Sequence, residues 1–223
     1  MHIIWYGQSC FQLLISQNKG EQISLAINPF DDSSGLKCPN ISADILLKAG
    51  GTKEGARCVK GKIAGEGGRK EPVLISGPGE YEMKNVFIQG IPSNANNGSA
   101  AREKSTVYVI DAEEMRICHL GELSQKEMSS EQIEDIGNVD ILMIPVGGGK
   151  YIDAKTASKI IGQIEPRVVI PMLYKLPNLR EKLDGVEDFL KVMGQKSVQP
   201  QPKLLIKIKD LSEEGPKVVV LKP

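Results

Sequence analysis

Residues 139–174 read VDILMIPVGGGKYIDAKTASKIIGQIEPRVVIPMLY. The apolar runs Ile141 to Val146 and Val168 to Met172 have the length and β-branched content of buried strands. Between them, Asp153 can cap a segment that carries Ala157, Ile160, Ile161 and Ile164 at helical spacing. Strand, helix, strand in that order predicts a βαβ crossover and therefore a stretch of parallel sheet.

Working outward, Ser129 followed by Gln132 forms a capping-box pattern ahead of Ile133 and Ile136, and Val186 to Met193 repeats the helical spacing. The opening of the chain reads differently. His2 to Trp5, Cys10 to Leu14 and Ile23 to Ile27 are short apolar or alternating runs, parted by Gly7 and the polar Gln17 to Gln22, and predict an antiparallel meander. Further strands are expected at Ile45 to Leu47, Val73 to Ile75, Val86 to Gly90, Val107 to Asp111, Met115 to His119, Leu204 to Lys209 and Val218 to Leu221. Strands first and helices later suggest a layered α/β sandwich, and no 20 to 50 residue repeat interrupts it. Ala49 to Glu71 stands apart, because glycine and lysine replace the apolar periodicity; it reads as a flexible loop within one domain spanning 1–223. Its Lys60, Lys62, Arg69 and Lys70 could serve a phosphate cradle, but neither GxxxxGK[ST] nor GxGxxG is present.

The chain has 223 residues, 40% of them hydrophobic and 25% charged, enough for one substantial core. Its 28 basic residues balance 28 acidic ones, so no overall field favours nucleic acid or an anionic membrane. The first residues lack the charged and apolar regions of a signal peptide and no stretch reaches membrane-spanning length, which leads us to expect a cytoplasmic protein. Cys10, Cys38, Cys58 and Cys118 form no CxxC pair and suit reduced, buried thiols better than a disulfide framework or a thiolate zinc site.

Several segments together resemble the small zinc-dependent hydrolases of the metallo-β-lactamase fold, in the branch that includes ascorbate-phosphate lactonase-like proteins. They are GQSCF (7–11), INPF (27–30), ADILL (43–47), GPGEYEMKNVFIQGIPS (77–93), ICHLGEL (117–123), VDILMIPVGG (139–148) and EPRVVIPMLY (165–174). The resemblance implies a four-layer αββα sandwich, with the metal site at one edge in the loops that follow strands.

Zinc hydrolysis needs imidazole and carboxylate ligands and an open position for water, yet the chain holds two histidines. Where the family carries HxHxDH, this chain has KAGGTKEG, which sets Gly50, Thr52 and Gly55 at histidine positions and Glu54 at the aspartate position. Ala95 takes the place of the next ligand histidine, and Leu173 that of the last, in IPMLY. Glu122, in HLGE, stands for the bridging aspartate, and Asn28 for the aspartate of an IDPF-like turn. No metal and no cofactor are therefore expected.

His119 and Glu122 are the candidate functional residues that remain, with Cys118 a nucleophile only if it shared a site with His119. Neighbours on a strand point to opposite faces, so His119 reads as a hydrogen-bonded core residue. Ser9 lacks the GxSxG spacing of a hydrolase elbow, and GPGEY reads as a tight turn around Glu80 and Tyr81. The expectation is a non-catalytic pseudo-hydrolase serving as a binding or structural module, its partner unknown and self-association open. The alternatives are a zinc- or manganese-dependent hydrolase of a small or phosphorylated substrate, and a metal-free enzyme using His119 as acid or base.

Overall fold

The computed structural model describes residues 1–17, 20–50, 58–61, 71–95, 103–212 and 214–223. Strands β1 (His2–Gly7), β2 (Cys10–Ser16) and β3 (Gln22–Ile27) form the expected antiparallel meander, and β5 (Ile45–Lys48) and β7 (Val73–Ser76) extend it in parallel. With β14 (Leu204–Leu205) on the other edge, the order is β14-β1-β2-β3-β5-β7.

The second sheet begins with β8 (Gly79–Met83), β9 (Val86–Ala95), β10 (Glu103–Ala112) and β11 (Met115–His119). It ends with β12 (Ile141–Pro145), β13 (Val168–Met172) and β15 (Lys217–Val218). Its β8–β11 portion is antiparallel, whereas β11, β12 and β13 run parallel through crossover helices α1 (Ser130–Ile136) and α2 (Ala154–Ile164). Two right-handed crossovers stepping the same way across a sheet place both helices on one face. Helix α3 (Val186–Val192) packs beside α2.

Local chemistry accounts for these starts. Ser129 Oγ accepts from the Gln132 amide while the Gln132 side chain accepts from the Ser129 amide, which is the reciprocal capping box, and Asp153 caps α2 through the Thr156 amide at 2.8 Å. Every residue of β12 and β13 is buried, as a parallel strand covered on both faces requires.

Ile3, Trp5, Phe11, Leu13, Leu25 and Ile27 of the first sheet join Tyr108, Ile110 and Ile117 of the second in one apolar core. The opposite face of the first sheet, through Cys10, Ala26 and Leu46, packs on a small parallel pair, β4 (Ile41–Ala43) and β6 (Val59–Gly61). The result is the expected layered α/β sandwich; among the described residues, helices cover the second sheet, and the β4–β6 pair covers the first where the αββα arrangement expects helices.

Four local expectations are corrected. Cys38 and Cys58 are joined in a disulfide, with Cα atoms 6.0 Å apart, whereas Cys10 and Cys118 are buried free thiols. Sequence spacing is silent on this contact, because tertiary packing brings the chain before β4 beside the start of β6. The Ala49–Glu71 stretch is interrupted by β6, in which Val59 is buried and Lys60 exposed, with Cys58 buried just before it; Lys62, Arg69 and Lys70 lie outside the described residues. GPGEY contributes Gly79 to Tyr81 to the edge strand β8, which pairs with β9 beyond the turn at Gly77 and Pro78. Finally, Leu204 to Lys209 is strand only to Leu205; Ile208–Asp210 winds into a 3-10 turn whose Asp210 carboxylate accepts from the Lys207 amide at 2.9 Å.

Candidate functional site at the sandwich edge

His119 ends β11 with its side chain 0% exposed. The Gly121 amide donates to Nδ1 at 3.1 Å, so the proton is on Nε2, which donates to the Ser9 carbonyl at 3.0 Å. The ring meets Phe11 edge to face at 5.7 Å. Burial pushes its pKa down to about 4, an effect the bond to Ser9 opposes in part. Cys118 pairs with Val109 and His119 with Tyr108 in the ladder, so the two side chains lie on opposite faces and form no nucleophile–base pair. Burial also pushes the Cys118 thiol far up, which leaves it unreactive.

Ser9 is the hinge of a neutral network. Its hydroxyl accepts from Asn28 Nδ2 at 3.3 Å, and Asn28 Oδ1 accepts from the Ala49 amide at 2.7 Å. The Ala49 carbonyl then accepts from the Thr106 amide at 2.8 Å and from Ser105 Oγ at 3.2 Å. An amide at position 28 can donate to Ser9 and accept from Ala49 together, which an ionised carboxylate could not. Asn28 adopts φ 45°, a left-handed conformation that asparagine tolerates well.

Leu173 follows β13 with φ 53° and is 1% exposed, packed in the main core. A bulky residue in the left-handed region is strained, and it persists only where its surroundings over-determine it. Here the Leu173 amide donates to the Gln8 carbonyl at 3.3 Å. Its own carbonyl lies against Gly147, where any Cβ would collide with it.

Gly50 is exposed just past β5 and Ala95 ends β9, while Thr52, Glu54 and Gly55 lie outside the described residues. Glu122 is half-buried beside the Tyr151 hydroxyl; burial first, then the charges of Glu122 and Glu181, drive that hydroxyl's pKa far up. Tyr151 donates to Glu181 Oε2 at 3.1 Å, and Lys150 pairs with the other oxygen at 3.1 Å. Glu80 is exposed on the edge strand β8.

A cleft of about 540 Å³ opens beside Gly50, between the ends of β5 and β9, with Ser105 and Thr106 of β10 along it. Gly50 and the end of β9 were among the sequence candidates; what sequence reasoning missed is the Ser9–Asn28–Ala49 network, whose signal was the joint presence of GQSCF and INPF, each read there only as a motif. Zinc takes three or four imidazole, thiolate or carboxylate donors. No group of three or more such side chains converges among the described residues, and both nitrogens of His119 are engaged, so the residues described do not fit the ion.

Two facing mixed sheets, with the ends of β3, β5, β9, β11 and β13 bearing the motif loops, define a protein of the metallo-hydrolase sandwich class. Residues 2–173 match the family described as the beta-lactamase superfamily domain, and the chain belongs to that family. It is similar to a Thermotoga maritima protein whose description assigns it, provisionally, to the Zn-dependent hydrolases of the metallo-beta-lactamase superfamily. That structure superposes with a TM-score of 0.75 at 29% identity, covering 99% of this chain and 98% of that one.

A metal-dependent hydrolase from Pyrococcus abyssi is 26% identical over 151 residues, 65% of this chain and 56% of the relative. One from Thermococcus onnurineus is 27% identical over 122 residues, 53% of each chain. The chain thus spans about half the length of these archaeal relatives. A metallo hydrolase from Ignicoccus hospitalis, at 17% identity and TM-score 0.61 over 92% of this chain and 99% of that one, shares the fold. Among the described residues no helix is long and apolar enough to cross a membrane.

Proposed function

We propose that this chain is a non-catalytic member of the beta-lactamase superfamily, without a working zinc site, acting as a binding or structural module whose contact surface is the cleft beside Gly50. The observation that carries this reading is Leu173. The resemblance places the last ligand histidine there, and the residue present is apolar and buried in the core. The neutral Ser9–Asn28–Ala49 network supports the same reading, since carboxylates buried without a cation would cost several kcal/mol and Asn28 avoids that cost.

A metal-dependent hydrolase is the second reading. It draws on the relatives' descriptions and on Glu122, and it would require further ligands from the segment holding Glu54. The test is elemental analysis of protein purified without chelator, with thermal unfolding in added zinc or manganese. We expect no bound metal and no shift. A site held at a hundred times its dissociation constant would add about 2.7 kcal/mol, roughly 5 to 10 °C for a chain of this size, and that result would overturn the first reading.

A further inference from the structure

The cleft beside Gly50 is lined by five neutral polar side chains and one lysine. Lys48, Ser76, Ser93, Asn94, Ser105 and Thr106 line it, and no described lining residue is a carboxylate or an imidazole. Backbone donors that could cradle an anion are turned elsewhere. The Ala49 amide donates to Asn28, the Gly77 amide to the Tyr108 hydroxyl at 3.1 Å, the Asn94 amide to Gln125 at 3.4 Å, and the Thr106 amide to Ala49. Lys48 is 8% exposed and has interactions of its own. An anion-binding nest needs several free N–H groups converging, and these four amides do not supply them.

We propose that this cleft takes a small uncharged molecule bearing several hydroxyl groups, about the size of one sugar ring; the proposal rests on the reading of this edge as a binding surface. Serine hydroxyls and the Asn94 amide both donate and accept, and so do the hydroxyls of a polyol, so such a ligand can match them without importing charge. Ser105 Oγ gives its proton to the Ala49 carbonyl and keeps lone pairs that can accept. Ser93 is 6% exposed and its Oγ has no hydrogen-bond partner. An unmatched buried hydroxyl costs about 1–3 kcal/mol, and a change of χ1 rotamer lets this small side chain turn to a ligand oxygen. Pro78 and Pro92 supply rigid apolar walls for the C–H faces of a ring.

The experiment is a titration of the whole chain, isotope-labelled, with D-glucose and with myo-inositol, followed by amide NMR shifts, and with sodium acetate and zinc chloride on parallel samples. The expected result is saturable shifts centred on Ser76, Ser93, Asn94, Ser105 and Thr106 with a millimolar dissociation constant for at least one of the two polyols. Ser93→Ala should weaken that binding by roughly 2- to 13-fold, the equivalent of one hydrogen bond. Gly50→Trp should abolish it, because a Cβ at this exposed position meets open space and the ring would fill the rim without disturbing the core. Silence towards both polyols, equal shifts from acetate, or polyol binding unchanged in Gly50→Trp would each overturn the proposal. Zinc-induced shifts at this edge would instead overturn the reading of the chain as a module without metal, which keeps the two failures apart.

Discussion

Acidification should destabilise this protein through His119 by an amount that one substitution isolates. The folded chain keeps the ring neutral because it is buried, with a pKa of about 4, whereas the unfolded chain protonates it near the ordinary 6.5. As the pH falls through that interval the unfolded state takes up the proton first. His119's contribution is therefore intact above about pH 6.5, declines between 6.5 and 4, and levels off below 4, where both states carry the proton. At 1.36 kcal/mol per unit, the interval corresponds to about 3 kcal/mol. Carboxylates titrate in the same range, so the assay compares urea unfolding of the wild type and His119→Gln at several values between pH 7.5 and pH 4. Glutamine keeps a donor for Ser9 and does not titrate. The wild type should lose about 3 kcal/mol more than the variant across that range. Parallel stability curves would refute the buried, neutral assignment.

Reduction, or the paired change Cys38→Ser with Cys58→Ser, should lower stability by about 3 kcal/mol, the loop-closure value for a separation of 20 residues, read as a fall in the urea midpoint. An unchanged midpoint would show that these thiols are not bridged in solution. Leu173→Ala should cost about 2–4 kcal/mol, since it removes a fully buried side chain and leaves the left-handed backbone in place; a loss under 1 kcal/mol would mean that the side chain does not pack in the core. Ser129→Ala should cost about 1 kcal/mol by opening the capping box of α1, measured by thermal unfolding, and a neutral result would remove that box from the account.

Much of the fold was legible because periodicity reports burial. Met115–His119 and Val168–Met172 emerge as strands with the bounds read from the sequence, and the Ser129 and Asp153 caps form as their residue types dictate. The failures are where a strand is exposed or very short. The edge strand β8 exposes most of its residues, so glycine and proline dominate its reading, and β4 and β6, three residues each, carry too little apolar pattern to register. For the site, the sequence located the segments that meet at one edge, yet spacing along the chain could not say which groups bond across it.

By itself, the sequence determined the class of sandwich, the order of its parallel and antiparallel portions, and the residue types standing where the family carries ligands. The strands, helices and layered class follow from periods of 2.0 and 3.6, which are local properties, whereas the ligand positions are what the resemblance of the motif segments implies. Only the tertiary structure decided that Cys38 meets Cys58, that Ser9 links His119 to Asn28, and that a cleft opens beside Gly50. Those contacts join residues 19 to 110 positions apart, and they depend on how two sheets and their loops pack, which no local period encodes.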